Sequence, residues 1–299
     1  METMRQRFTR VTAEAMDADE RLALVLADIG VDAFEAAGTP QRHPARVINV
    51  GIREQLMIGV AAGLAQEGMR PVAHSYAPFL VERPFEQIKL DLGHQDAGAV
   101  LVSTGASYDG APEGRTHQAP GDVALLTTVP GFAIHVPGHP DEAEQVLRRE
   151  FARDGRAYVR LSGETNAEAY PAEQLTVVRD AGAGGPLVLA VGPTLDPVLV
   201  ATSDLRVTVA YASTIAPFPA AALSELATGS DVAIVEPYLA GTSAAALAEA
   251  LRDRPHRLLA LGVPPVDLRR YGTPEDHRRA HGLDAAGIRR SLAAFLPHS

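Results

Sequence analysis

The chain has 299 residues, 46% hydrophobic and 21% charged, with a net charge of −10 and no cysteine. That length and apolar content fit two packed domains and exclude a disordered chain. The composition offers no cluster of Lys and Arg for nucleic acid or an anionic membrane, no thiol for disulfides or metal, and no apolar stretch long enough to span a bilayer.

In chain order, Phe8 to Met16 reads as a helix and Leu22 to Ala27 as a buried strand closed by Asp28-Ile29-Gly30. Val47 to Val50 is a second strand, followed by a helix from Gln55 to Gln66 in which Leu56, Met57, Val60, Ala61 and Leu64 recur at helical spacing. Arg70 to Ala73 opens a third strand, Phe85 to Leu92 a helix, and Val100 to Ser103 a fourth strand. Phe132 to Val136 is the fifth, Asp141 to Phe151 a helix capped by Asp141, and Ala157 to Leu161 the sixth strand. Arg179 to Pro186 carries an Ala-Gly-Ala-Gly-Gly-Pro break. Beyond it, strands are expected at Leu187–Val191, Val207–Tyr211, Val232–Val235 and Leu258–Leu261, with helices at Ala220–Ala227, Ser243–Arg252 and Ala285–Phe295. Strands alternating with helices imply parallel pairing, so the expected fold is α/β, two doubly wound domains divided into residues 1–182 and 183–299. The first residues, Met1-Glu2-Thr3-Met4-Arg5, lack a signal-peptide core, so a soluble cytoplasmic protein is expected.

Three segments carry chemistry. In Val47-Ile48-Asn49-Val50-Gly51-Ile52-Arg53-Glu54-Gln55 a strand runs through a tight turn into a helix, leaving Glu54 in the first helical turn. A carboxylate there can point into the crevice at the end of the strands, where open α/β sheets bind ligands, or it can merely complement the helix dipole. The second segment is His74-Ser75-Tyr76-Ala77-Pro78-Phe79-Leu80 with Arg83 and Phe85; the third is Asp109-Gly110-Ala111-Pro112-Glu113-Gly114-Arg115-Thr116-His117-Gln118.

In this order the segments resemble the pyrimidine-binding half of thiamine diphosphate enzymes of the transketolase family. Gly-Ile-Arg-Glu-Gln is similar to that family's Gly-x-x-Glu motif, and Glu-Gly-Arg-Thr-His-Gln to its acid-Gly-x-Thr-His-Gln loop. Glu236 to Ser243, Tyr271 to Glu275 and His281 to Asp284 resemble the family's C-terminal domain. The resemblance implies a pyrimidine-binding domain followed by a transketolase C-terminal-like domain, with thiamine diphosphate as cofactor. Glu54 and His117 would be catalytic, and Glu54, Tyr76, Phe79 and Arg83 would bind the cofactor. His117, Glu113 and His74 would contact substrate. Tyr76 and Phe79 can equally be core packing, and Arg83 can equally pair with Glu82 or Glu86. The remaining histidines show no metal-ligand spacing.

One half of the family pattern is missing. The Gly-Asp-Gly and downstream Asn that grip the diphosphate through Mg²⁺ do not occur. The resemblance therefore implies a split enzyme: this chain would be the C-terminal subunit, and an N-terminal transketolase-like partner would hold Mg²⁺ in a heterotetramer. The expected activity is transfer of a ketol unit from a ketose to an aldehyde. A β subunit of a 2-oxo acid decarboxylating enzyme and a non-catalytic scaffolding paralogue are the alternatives. Gly163 and Gly105 stand where sugar-phosphate transketolases carry an Arg and a His, which leaves the substrate open.

Overall fold

The computed structural model describes residues 2–296. A buried apolar strand needs both faces covered, and the alternating helices supply the cover. The first sheet contains β1 (Leu22–Leu26), β2 (Val47–Asn49), β3 (Arg70–Tyr76), β4 (Val100–Thr104), β5 (Phe132–His135) and β6 (Arg156–Arg160). The second contains β7 (Thr176–Arg179), β8 (Leu187–Val191), β9 (Thr208–Ala212), β11 (Asp231–Leu239) and β12 (Arg257–Val263), while β10 (Thr214–Ala216) returns to the first. The strand orders are β10-β5-β6-β4-β3-β1-β2 and β12-β11-β8-β9-β7. All neighbours pair in parallel except β10 on β5 and β7 on β9. The fold is thus α/β with two largely parallel sheets.

Each sheet has a core on either face. Val25, Met57, Ile58, Ala61 and Leu101 pack on one side of the first sheet, and Phe8, Leu24, Phe34, Val72 and Val102 on the other. The helix at Met4–Ala18 lies against that at Pro140–Ala152, pinned by Arg7 to Asp141 and Arg10 to Glu144. The helix at Ala285–Phe295 covers the second sheet through Ile288 and Leu292.

Several local expectations change. The helix at Pro140–Ala152 is capped by the His139 side chain, which accepts from the Asp141 amide, so Asp141 sits inside the first turn. Phe85 to Leu92 is not one regular helix. Wide π-type turns at Pro78–Glu82 and Ile88–His94 flank a short α-helical turn at Phe85–Gln87. Pro84 has no amide hydrogen to continue an α-helical ladder, and the Arg83 amide instead reaches back five residues to Pro78. The strands β7 and β10 come from short segments that lack a strong alternating pattern. They also cross the expected division at 182/183, since β10 follows the break yet pairs in the first sheet.

The two sheets are tied together by a polar network. Arg160, at the end of β6, is 1% exposed; its Nε lies 2.7 Å from Asp122 and its Nη2 donates to Ser107 at 2.6 Å. The Tyr158 hydroxyl donates to the same Asp122 carboxylate at 2.6 Å. Ser107 continues the chain of contacts to the Pro237 carbonyl in β11, and the Leu239 amide donates to the Pro120 carbonyl at 2.7 Å.

Candidate functional site

Parallel strands leave their C-terminal ends on one edge, and the turns there carry the candidate residues. The turn after β2 is built by Asn49. Its side-chain oxygen accepts from the amides of Asp28 and Gly51 at 3.0 and 3.1 Å, and its amide donates to the Asp28 carboxylate at 2.9 Å. Gly51 adopts φ 70°, a conformation that favours glycine, and turns the chain into the helix Glu54–Gln66. Glu54 is the first helical residue and only 2% exposed.

A buried carboxylate needs a partner. Arg83 provides one, with Nη1 2.6 Å from Glu54 Oε1. The Arg83 guanidinium also lies over the Phe79 ring, 4.2 Å from its centroid. A planar cation on an aromatic face is attracted by the ring quadrupole. The irregular turns around Pro84 aim Arg83 back at Glu54, so neither Glu82 nor Glu86 takes it.

His117 joins this group from the loop after β4. Its ring is 5.0 Å from Phe79 and 5.6 Å from Tyr76, and those two rings are 6.1 Å apart, all three pairs edge-on. Edge-to-face pairs bring a positive ring edge to a negative face. The His117 Nδ1 meets the Thr116 hydroxyl at 3.0 Å, leaving Nε2 for other partners. Gly110 packs close to both His117 and Glu113, so Glu113 lies exposed on the same loop. Tyr76, Phe79 and His117 are each partly exposed, so the cluster has an accessible face.

His74 does not join the cluster. It is 1% exposed, its Nδ1 is 2.8 Å from the Val102 carbonyl, and its ring packs on Phe8 at 4.6 Å. Burial pushes its pKa down to about 4, which keeps the imidazole neutral. The space that a His at position 105 would need is taken by Tyr76. A Cβ on Gly105 would stand 2.4 Å from the Tyr76 ring, and Gly105 has φ 68°. The Gly163 amide donates to Asp109 at 2.8 Å, which also accepts from the Ala106 amide at 3.1 Å, so this acid shapes the loop. Burial raises the Asp109 pKa.

Sequence reasoning left two features unread. The Glu54–Arg83 pair links residues whose regular-helix spacing gave no signal. The Asp122–Arg160 pair was hidden because Asp122 opens a short helix, Asp122–Leu126, with no periodic pattern long enough to read, and Arg160 ends a strand. A lone Arg among the apolar residues Tyr158, Val159 and Leu161 was the available hint, because an Arg at a buried strand position needs a carboxylate.

Among the described residues no group of three or more His, Asp and Glu could hold a metal ion, and no helix is long and apolar enough to cross a membrane. Residues 1–166 match the family described as transketolase, pyrimidine binding domain. The chain is 50% identical over 295 residues to an uncharacterized 33.6 kDa protein in the fasciation locus of Rhodococcoides fascians, covering 97% of this chain and 93% of that one. It is 35% identical over 268 residues to the 1-deoxy-D-xylulose-5-phosphate synthase of Leptothrix cholodnii, covering 84% of this chain but 42% of the synthase. Its fold matches a split gene transketolase in an inactive beta4 tetramer with a TM-score of 0.83 at 23% identity, over 98% of this chain and 97% of that one. It also matches the transketolase of Campylobacter jejuni, TM-score 0.77 at 15% identity, over 97% of this chain and 46% of that one. At these identities the structural likeness speaks for the fold, and the sequence matches speak for kinship. The chain belongs to the transketolase pyrimidine-binding family.

Proposed function

We propose that this chain is the C-terminal subunit of a two-component, thiamine diphosphate-dependent transferase that moves a ketol unit from a ketose donor to an aldehyde acceptor. The observation that carries the reading is convergence: Glu54, Phe79 with Arg83, Tyr76 and His117 come from three separate segments and meet at one sheet edge. The chain spans 42% of the synthase and 46% of the Campylobacter jejuni transketolase but 97% of the split gene transketolase chain, and that likeness in extent supports a partner polypeptide as part of the proposal. That partner would be an N-terminal transketolase-like subunit holding Mg²⁺ and the diphosphate, with a heterotetramer as the assembly.

The residues present fit a flat, basic heteroaromatic ring. Glu54 offers a buried carboxylate as hydrogen-bond acceptor or proton holder, and Phe79 and Tyr76 offer aromatic surface for stacking. Bound thiamine diphosphate would supply the nucleophilic carbon needed to break and remake a carbon–carbon bond beside a carbonyl. Arg83 now occupies both contacts, one on the Glu54 carboxylate and one on the Phe79 face. Opening the site to such a ring requires Arg83 to release at least one of them. His117 Nε2 would donate a hydrogen bond to a substrate oxygen, and Glu113 would receive an acceptor hydroxyl.

A second reading, in which the donor is a 2-oxo acid, rests on kinship: the chain is 35% identical over 268 residues to a 1-deoxy-D-xylulose-5-phosphate synthase, while its likeness to transketolases of known structure, at 15–23% identity, speaks for the fold alone. Release of CO₂ from pyruvate by the assembled enzyme, without turnover of ketoses, would establish that reading over the first.

The test is calorimetric titration of thiamine diphosphate with Mg²⁺ into the chain alone and into the chain co-purified with a polypeptide carrying Gly-Asp-Gly and the downstream Asn. Binding to the pair only is expected. Tight binding to the chain alone would overturn the split-site reading, and undiminished ketol transfer by a Glu54→Gln pair would overturn the assignment of Glu54.

A further inference from the structure

The loop that carries His117 follows β4 of the first sheet, yet the second half of the molecule holds it. Tyr108 is 5% exposed and packs into the core of the second sheet with Val263, Leu283 and Ile288. Its ring lies 6.2 Å from that of His277, nearly parallel at 20°, and 5.6 Å from that of His281. Beside it, Ser107 donates to the Pro237 carbonyl of β11. Farther along the same loop, the Tyr271 ring rests on Gly114. A Cβ at Gly114 would stand 2.6, 3.2 and 3.3 Å from three carbons of that ring. Gly114 has φ 78° and ψ −164°, a region open essentially to glycine alone, so its backbone and its neighbour both require a residue without a side chain.

Tyr271 is anchored for this contact through its backbone. Its carbonyl accepts from His277 Nε2 at 3.2 Å, and His277 is 0% exposed. Gly272, at φ 113°, then turns the chain into the helix Pro274–Ala280, which Thr273 caps. The Tyr271 ring itself is 70% exposed, so its burial contributes little to the fold. What the ring does touch is the segment leading to His117, whose amide donates to the Gly114 carbonyl at 3.0 Å. The nearby pair of Arg115 with Asp267, at 3.6 Å and half-exposed on both sides, adds little to that brace. We infer that Tyr271 is a positioning residue for His117: it braces Gly114, and Gly114 fixes where the imidazole stands against Phe79 and Tyr76. The second domain thereby sets the geometry of the loop that brings His117 to the site, and its bearing on turnover rests on the role proposed for His117 above.

The test pairs Tyr271→Ala with Tyr271→Phe. Ring carbons make the contact with Gly114, so Phe keeps it and Ala removes it. The first readout is NMR of the intact chain labelled at histidine, with the His117 resonances assigned by their loss in His117→Gln. Tyr271→Ala should move the His117 imidazole resonances and Tyr271→Phe should leave them in place. Both variants should melt with the parent, because the side chain they alter is exposed. The second readout is ketol transfer by the chain co-purified with its partner. A misplacement of about 1 Å can cost about a hundredfold in rate, and losing one brace among several should cost part of that. Tyr271→Ala should therefore lower kcat about tenfold with KM for the ketose within about twofold, and Tyr271→Phe should restore the parent rate. Unmoved His117 resonances in Tyr271→Ala, equal changes in both variants, or moved resonances with an unchanged kcat would each overturn the inference. A parent pair that transfers no ketol unit would overturn the proposed reaction instead, and the resonances alone would then decide whether Tyr271 positions His117.

Discussion

Two buried glutamates, one in each half of the molecule, show how differently the same group can be held. Glu54 is buried at the edge of the first sheet and its partner is a side chain, Arg83, whose own surface is 39% exposed. Glu236 is 0% exposed in β11, and its carboxylate accepts from the backbone amides of Gly241 at 2.6 Å and Ser243 at 3.1 Å. A backbone cradle has nowhere to go, whereas a long, half-exposed arginine can swing out. The first acid is thus available for chemistry and the second is a fastening for the turn after its strand. Burial alone does not separate the two; the mobility of the partner does.

The sharpest way to break this comparison is to substitute Glu54. Glu54→Gln keeps the shape and leaves Arg83 able to reach water, so the fold should survive. If the proposed role holds, ketol transfer by the assembled enzyme should fall by roughly 10²–10⁴-fold, the usual span for a lost acid–base group. A rate within about threefold of the parent, a transition-state change of under about 1 kcal/mol, would move Glu54 into the same structural class as Glu236. Arg83→Ala sharpens the contrast further: cofactor affinity of the assembled pair should rise or hold while Glu54 loses its present partner, and a fall would make Arg83 part of the binding face.

The next largest effect concerns the tie between the halves. Asp122 is 0% exposed and serves both Arg160 and Tyr158. Removing one partner of a buried ion pair strands the other charge, at a cost of about 3–5 kcal/mol. Asp122→Ala should lower the unfolding free energy by that much, read as an earlier urea midpoint at unchanged slope, and loosen the contact from Ser107 to β11. An unchanged midpoint would mean that Arg160 reaches water once released, contrary to its burial.

How much of this was legible beforehand follows from the range of the interactions. The strands of both sheets other than β7 and β10, and the helix Glu54–Gln66, are local patterns, and periodicity finds them. The Gly-x-x-Glu turn and the Thr-His-Gln loop are local too, which is why Glu54 and His117 could be named. What escaped is contact across sequence. Arg83 reaches Glu54 across 29 residues, and Arg160 reaches Asp122 across 38. His74 shows the opposite error. It lies beside Tyr76 in sequence, but the strand turns it onto Phe8 in the core. Gly105 is intermediate: the glycine is visible in the sequence, and the reason for it, the Tyr76 ring, is visible only in space.

Gly105→Ala tests that reason. A methyl group would overlap the Tyr76 ring, and φ 68° is unfavourable for alanine. Strain of this kind costs about 1–3 kcal/mol. The variant should melt earlier and should also shift the Tyr76–His117 contact, read as a change in the His117 imidazole resonances. Destabilisation with unmoved resonances would show that Tyr76 does not touch Gly105 in solution.

The smallest effect returns to Glu236. Burial pushes its pKa up to about 7, against the lowering effect of the Ser243 and Gly241 hydrogen bonds. An acid whose folded pKa is raised holds its proton in the native state when the unfolded chain has released it. Between about 4.5 and 7 the native state therefore binds more protons, and stability falls as pH rises through that window. Glu164, also pushed up to about 7 by burial, adds a slope of the same sign. His74 and His281, both pushed down to about 4, add the opposite sign over the lower part of the range. These contributions oppose one another, so only a difference measurement isolates one group. Glu236→Gln keeps an acceptor for the turn and removes the titration. Measured against the parent by urea unfolding, the variant should gain on the order of 1–2 kcal/mol between pH 5 and pH 8. A constant difference would mean that the backbone amides hold Glu236 ionised throughout, as firmly as a cation would.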